Sequence, residues 1–447
     1  MSDRLVAPDL LATITGSPRF AVHGRVTRVI GQIVEATSLE VAVGEVCRIA
    51  VSREAGVLAQ VVGFHDRGLL LMPLGNLEGI HPGDVVIPLG RSLYAEVGEG
   101  VIGRVLNGLG RAIDHDGPLG ITERYPLNAD PPNPLQRSRI SSPLGTGVRA
   151  IDGFVTLGQG QRIGIMAGSG VGKSVLLGMI ARHSTADVNV IALLGERGRE
   201  VREFIERDLG PEGLRRSVVI VATSDQAAVV RATGALVATA IAEYFRDSGR
   251  NVLLMMDSVT RVAMAWREIG LSVGEPPTTK GYPPSVFAML PRLLERAGTG
   301  THGSITGLYT VLVEGDDFNE PIADSARSIL DGHIVLTRRL AQGKHFPAID
   351  VLDSVSRVRD QVVTSEQLEN SNLLLRLEAT FRSQEDLIAV GAYKPGTDKA
   401  LDTALVLRPE MLAFLRQAPG DSLPLGESHA RLKVLADRAR QIGAGGA

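Results

Sequence analysis

The hydrophobic pattern changes period twice along the chain. Between residues 19 and 93 apolar side chains alternate with polar ones in short runs, at 21–26, 41–43, 57–62, 68–72 and 84–87. Turn signals such as Asp66-Arg67-Gly68 and His81-Pro82-Gly83-Asp84 separate them. Short strands at close spacing predict a small β-barrel or sandwich. From about residue 142 the apolar runs become continuous, at 162–166, 188–194, 217–223, 252–257, 307–313 and 333–336, and helical stretches at 173–183, 200–208 and 226–245 fall between them. Strands of that kind, alternating with helices, predict a parallel sheet covered on both faces, with ligand at the carboxyl ends of its strands. From residue 357 the spacing becomes three and four. It predicts helices near 365–389, 398–416 and 425–442, broken at Lys394-Pro395-Gly396 and Pro419-Gly420.

Two stretches escape these periods. Residues 1–18 hold one apolar cluster, at 10–14, and read as a frayed tail. Residues 94–150 are biased to Gly, Pro and Asn. Pro131-Pro132-Asn133-Pro134 cannot continue a helix or a central strand, so the segment reads as an extended connector. The expected division is a tail at 1–18, a β-barrel at 19–93, a connector and α/β domain at 94–356, and a helical domain at 357–447.

Composition narrows the classes. The 447 residues carry a net charge of −3, with no basic excess to favour nucleic acid or an anionic membrane. Aromatics are 4% of the chain against 51 glycines, which suits tight turns and an aliphatic core. The single cysteine, Cys47, cannot form an internal disulfide; this suits a reducing compartment, and its strand-like setting predicts a buried thiol rather than a nucleophile. The N-terminus lacks the pattern of a cleaved leader, and no apolar run approaches the length of a membrane span. His23, His65 and His81 do not share metal-ligand spacing.

Chemistry concentrates at Ala167-Gly168-Ser169-Gly170-Val171-Gly172-Lys173-Ser174-Val175. A strand leads in and a helix leads out, the context a phosphate-binding loop requires. Glycines let backbone N–H groups turn toward a polyphosphate, and the helix adds its positive end. Lys173 reaches β- and γ-phosphates, and the Ser174 hydroxyl holds Mg²⁺. The strict pattern opens with Gly where this chain has Ala167, a change that costs little at negative φ. Asp257 ends an apolar strand 84 residues after Lys173, where a carboxylate binds the same metal through water. Glu196, in Gly195-Glu196-Arg197, follows the strand at 188–194. It is well placed to orient attacking water, and the alternative is a solvated turn carboxylate paired with a neighbouring arginine. Arg357, in Asp353-Ser354-Val355-Ser356-Arg357, is of a type suited to developing phosphoryl charge, but spacing alone gives it no stronger claim than other arginines.

These motifs together resemble the catalytic subunits of the rotary ATPase superfamily. The stretch from Gly315-Asp316-Asp317-Phe318-Asn319-Glu320 to His333-Ile334-Val335-Leu336 narrows the resemblance to the flagellar export ATPases and their relatives in type III secretion injectisomes. The resemblance covers about residues 20–440. It implies a RecA-like core between a β-barrel and a helical domain, ATP and Mg²⁺ as ligands, and a homohexamer with a site at each subunit interface. It gives Glu196 the catalytic carboxylate, Arg197 a place near the γ-phosphate, Phe346 the aromatic on adenine, and Arg357 an arginine finger supplied to the neighbouring subunit. It also implies a stator-like regulator, a central stalk-like protein, an export gate, export substrates with their chaperones, and peripheral association with the membrane export machinery from the cytoplasm. The short N-terminal tail weakens the carry-over of the regulator.

Three alternatives stand beside that reading. The same chemistry serves an injectisome equally well. A ring-shaped RNA translocase couples a small β domain to a similar core, but residues 20–93 lack interleaved aromatic and basic side chains. A non-catalytic ring subunit would be expected to lack the carboxylate at Glu196.

Overall fold

The computed structural model describes residues 22–51, 56–65, 68–114, 117–313, 317 and 320–445. The tail cluster at 10–14, the leader region, Ala21, the Asp66-Arg67 turn, and Gly315, Asp316, Phe318 and Asn319 lie outside these residues. The chain divides after Leu93 into two compact units, with residues 272–274 grouped with the first.

The first unit is a closed six-stranded barrel: Gly24–Ile30 (β1), Ile33–Thr37 (β2), Glu45–Ala50 (β3), Val57–His65 (β4), Gly68–Pro73 (β5) and Val85–Ser92 (β6), in the order β1-β2-β5-β4-β3-β6. Alternation turns Val26, Val34, Ala36, Cys47, Ile49, Ala59, Val61, Leu69, Leu71 and Val86 inward. The run at 41–43 is not a strand. It leads into a turn at Gly44, whose φ of 93° breaks extension, and β3 starts just after it. The strand Ile33–Thr37 is too short to have stood out from the sequence. Cys47 is fully buried, and burial pushes its thiol up to about 11, so it is an inert packing group.

The second unit holds Tyr94–Val97 (β7), Val105–Asn107 (β8), Glu123–Pro126 (β9), Pro143–Leu144 (β10), Leu157–Gly158 (β11), Arg162–Ala167 (β12), Val188–Leu194 (β13), Ser217–Ala222 (β14), Asn251–Asp257 (β15), Gly298–Thr299 (β16), Ser304–Leu312 (β17), Gly332–Leu336 (β18) and Ile349–Ser356 (β19). β7 pairs with β9, and β10 with β11. The large sheet has nine strands in the order β19-β18-β12-β17-β15-β13-β14-β8, with β16 beside β17. Every pair from β8 to β18 along this order is parallel.

Two features correct the sequence expectation. The segment 94–150 is more than a connector: β8 joins the sheet edge beside β14, because the proline-free stretch between Gly103 and Gly108 suffices for one short edge strand. The sheet is also not parallel throughout. β19, which follows the short helix Arg338–Gln342, returns antiparallel to β18.

Helices cover the sheet. Ala228–Asp247 has the length and mean hydropathy of a membrane span, although Arg231 and Glu243 interrupt its apolar run as the sequence reading expects. It is a core helix instead: 89% of its apolar window is buried, and it packs on β13, β14 and β15. The C-terminal helices Ser365–Ala389, Lys399–Leu415 and Leu425–Gly445 pack on one another through Leu374, Leu377, Leu407, Met411, Phe414 and Leu432. Thr364 and Gln367 form a capping box on the first, and Asp398 caps the second. Phe414 meets Phe154 edge-on at 6.0 Å, joining this bundle to the helix Arg149–Phe154.

Candidate active site

β12 ends at the buried Ala167, and the chain turns through Gly168–Gly172 into the helix Lys173–His183. Gly170 and Gly172 have φ of 78° and 85°, which side chains with a Cβ rarely adopt. Ala167 is not among the positive-φ residues, so its methyl is tolerated where the strict pattern has glycine. The loop opens onto a cavity of about 710 Å³. Gly168, Ser169, Gly170, Gly172, Lys173, Ser174 and Val175 all line it. Val171 does not: its side chain is buried in the core, which leaves its backbone as the only part to offer a ligand.

Lys173 is the centre of the charge arrangement. Its Nζ lies 2.5 Å from Asp257 Oδ1 and 3.6 Å from Glu196 Oε1. Parallel pairing of β13 with β15 sets Leu193 beside Asp257, and so brings Glu196 and Asp257 to the same end of the sheet. Thr310 Oγ1 on β17 donates to Asp257 Oδ1 at 2.8 Å and fixes that carboxylate. Burial alone would lower the Lys173 ammonium; the Asp257 and Glu196 carboxylates outweigh it and raise its pKa. Glu196 is pushed up to about 7. Burial is the main cause, the Asp257 charge and a hydrogen bond with Glu200 add to it, and Lys173 and Arg261 oppose it. Glu200 moves the other way, lowered chiefly by that same hydrogen bond.

The cavity wall carries five cationic side chains, Lys173, Arg197, Arg207, Arg261 and Arg338, against two acidic ones, Glu196 and Glu200. That excess suits a polyanion. Arg197 is largely exposed and starts the helix Gly198–Glu203. The other charges of this stretch pair on the surface, Arg199 with Glu203 and Arg202 with Glu206, as a solvated helix face does.

Sequence reasoning missed Arg261, Arg207, Arg338 and Glu200. Arg261 was within reach, because it stands four residues after Asp257, on the first turn of the helix Val259–Ser272. Its side chain lies over Gly195, where a Cβ would meet it at 3.0 Å, and its Nε is buried without a hydrogen-bond partner.

The donor set fits a magnesium ion that arrives with phosphate. Among the described residues no three acidic, His or Cys side chains cluster as a metal cage. One exposed hydroxyl at Ser174 and one carboxylate at Asp257 is the sparse set Mg²⁺ uses when phosphate oxygens and water complete its octahedron.

Phe346 and Arg357 flank opposite ends of one strand. Phe346, 40% exposed, precedes β19 and reaches the loop: a Cβ on Gly172 would touch its ring at 3.5 Å. Its carbonyl accepts from the Gln417 N–H at 2.9 Å. Arg357 follows the other end of β19. Register sets Ile349 against Leu336 and Ser356 against Gly332, while Leu336 pairs with Ala167. Arg357 therefore sits level with the start of β12, about 16 Å along the strand from Ala167 at the usual rise per residue. It is exposed and is not among the residues that line the cavity.

A phosphate-binding loop, a strand-end carboxylate and a second carboxylate beyond the neighbouring strand, all on a parallel sheet, define a P-loop nucleoside triphosphatase. Comparison with known proteins makes this specific. Residues 147–356 match the ATP synthase alpha/beta family nucleotide-binding domain, residues 26–90 that family's β-barrel domain, and residues 363–434 the type III secretion EscN ATPase C-terminal domain. The chain is 53% identical to the flagellum-specific ATP synthase of Bacillus subtilis, over 95% of this chain and 98% of that one. It is 50% identical to the type 3 secretion system ATPase of Xanthomonas euvesicatoria, over 94% and 95%. Among solved structures, the assembled ATPase EscN of the enteropathogenic E. coli type III secretion system matches with a TM-score of 0.88 at 45% identity, over 92% of this chain and all of that one. EscN in complex with its central stalk EscO matches at 0.86 and 44%, with the same coverage. The chain belongs to the ATP synthase alpha/beta family, in its branch of flagellar and type III secretion ATPases.

Proposed function

We propose that this chain hydrolyses ATP at sites shared between neighbouring subunits of a homohexameric ring, and that hydrolysis energises protein export by a flagellar type III apparatus. The observation that carries the shared-site reading is the position of Arg357, a strand length from the phosphate loop of its own subunit. In the proposed site the backbone of 168–175 and Lys173 hold the phosphates, and Phe346 packs on the base. Ser174 and Asp257 hold Mg²⁺, which when bound offsets phosphate charge. Glu196 orients water and takes its proton, Arg197 and the newly found Arg261 stand beside the γ-phosphate, and the neighbour's Arg357 meets the charge that develops on it.

Both flagellar and injectisome relatives resemble this chain to a similar degree, so an injectisome role is the second reading. A motility assay on a deletion strain separates them. Partners follow the relatives: a central stalk-like protein, by analogy with EscO, and further a stator-like regulator, an export gate, and substrates with chaperones, at the cytoplasmic face of the inner membrane. The functional division proposed is 19–93 for the barrel, 94–356 for the catalytic domain and 357–447 for the helical domain.

The roles at the site are tested by Glu196→Gln. The expected variant binds ATP with affinity near that of the wild type and loses turnover by roughly 100-fold or more, the usual range for a general base. Hydrolysis at the wild-type rate would remove Glu196 from the mechanism.

A further inference from the structure

The placement of Arg357 raises the question of what holds it. At the start of β12, Arg162 and Asp331 lock two segments together. The Asp331 carboxylate accepts from Arg162 N at 3.0 Å, from Nε at 3.2 Å and from Nη2 at 3.2 Å, while Asp331 N donates to Arg162 O at 2.8 Å. The pair is bidentate and largely shielded, with 15% and 26% of the two side chains exposed. Glu295 touches the same guanidinium from the other side.

Asp331 in turn carries the arginine. Its carbonyl accepts from Arg357 N at 2.9 Å, and the carbonyl of Leu330, one residue earlier, accepts from Arg357 Nη1 at 3.2 Å. The fully buried Gln161, next to Arg162, donates from Nε2 both to Asp331 O at 3.1 Å and to Ser356 Oγ at 3.0 Å. Gly332 leaves no slack: its φ is 146°, and a Cβ there would fall 2.2 Å from Val355 O. Backbone and side chain of Arg357 are thus both fastened to the 330–331 corner, and that corner is clamped to the first residue of β12.

We propose that Asp331, held by Arg162, is a positioning residue for Arg357, setting the guanidinium that completes the neighbouring subunit's site. This rests on the reading of Arg357 as a residue that acts in trans. Asp331 lies about 16 Å from the phosphate loop of its own subunit by strand rise. Loosening the clamp therefore damages the site next door and spares nucleotide binding at home. A displacement of about 1 Å in a charge-stabilising group costs on the order of 10²-fold in rate.

Mixed rings test this. Asp331→Asn alone should lower kcat by about 10- to 100-fold, with fluorescent-nucleotide affinity and thermal melting near those of the wild type. Mixed with Lys173→Ala, which has an intact Arg357 but a dead loop, Asp331→Asn should regain activity above the sum of the two proteins. Mixed with Arg357→Ala it should regain none. Arg162→Met, which breaks the clamp from its other side, should sort the same way if Asp331→Asn fails to fold. Recovery with Arg357→Ala but not with Lys173→Ala would mean that Asp331 serves its own loop, and would overturn the proposal. Wild-type kcat in both clamp variants would do the same. The control mixture of Arg357→Ala with Lys173→Ala tests the underlying reading separately. If it shows no recovery, action in trans falls, and the positioning role falls with it.

Discussion

At the residue scale the site turns on how Glu196 is tuned. An ordinary glutamate is almost wholly ionised at neutral pH and a weak base. Burial, assisted by Asp257 and by the hydrogen bond with Glu200, brings this one to about 7, where proton acceptance and ionisation are balanced. The sign follows directly. A raised carboxyl pKa means the base form is lost as pH falls through about 7, so kcat/KM should decline on the acid side, close to tenfold per pH unit well below that point. Initial rates between about pH 5.5 and 8.5 check it, since kcat/KM reports the free enzyme. A profile flat across that range would show that Glu196 does not take the proton. Much of this was legible in the sequence, because glycines, Lys173-Ser174 and the two strand-end acids are local signals. Arg207, Arg338 and Glu200 were not, because each reaches the cavity from a segment whose own pattern is that of a solvated surface.

At the scale of elements, β19 does the most that the sequence left unread. Its residues Ile349–Ser356 mix acids and serines with aliphatics, and gave no continuous apolar run to recognise. Yet this strand sets Phe346 at one end of the sheet and Arg357 at the other. The two side chains should therefore fail differently. Phe346→Ala removes a contact made in ground and transition states alike, so KM for ATP should rise by about 10-fold with kcat little changed. A steady-state titration of that variant decides the point; a fall in kcat at unchanged KM would contradict base packing. The longer elements were far easier to read. The core strands at 188–194 and 217–222 and the three C-terminal helices fall within a few residues of their expected bounds, because long periodic runs bury one face or both. The short strands β2 and β8 depend on tertiary pairing that no local pattern announces, whereas the helices Pro284–Leu294 and Pro321–Ile329 carry a local start signal in their first-turn proline that went unread.

At the scale of the molecule, the loop and Arg357 belong to opposite ends of one sheet. The β12 strand runs from the Arg162–Asp331 clamp at one end to the phosphate loop at the other. On the proposed reading of Arg357, a lone subunit holds the groups for binding ATP and lacks one for splitting it. An arginine supplied in trans contributes a factor of roughly 10³ or more. The measurement that bears most directly on this account is specific ATPase activity against protein concentration, with mass followed by light scattering in the same samples. Low activity is expected while the monomer dominates, with a steep rise as the mass approaches that of a hexamer. Constant specific activity across a range in which the protein remains monomeric would contradict it.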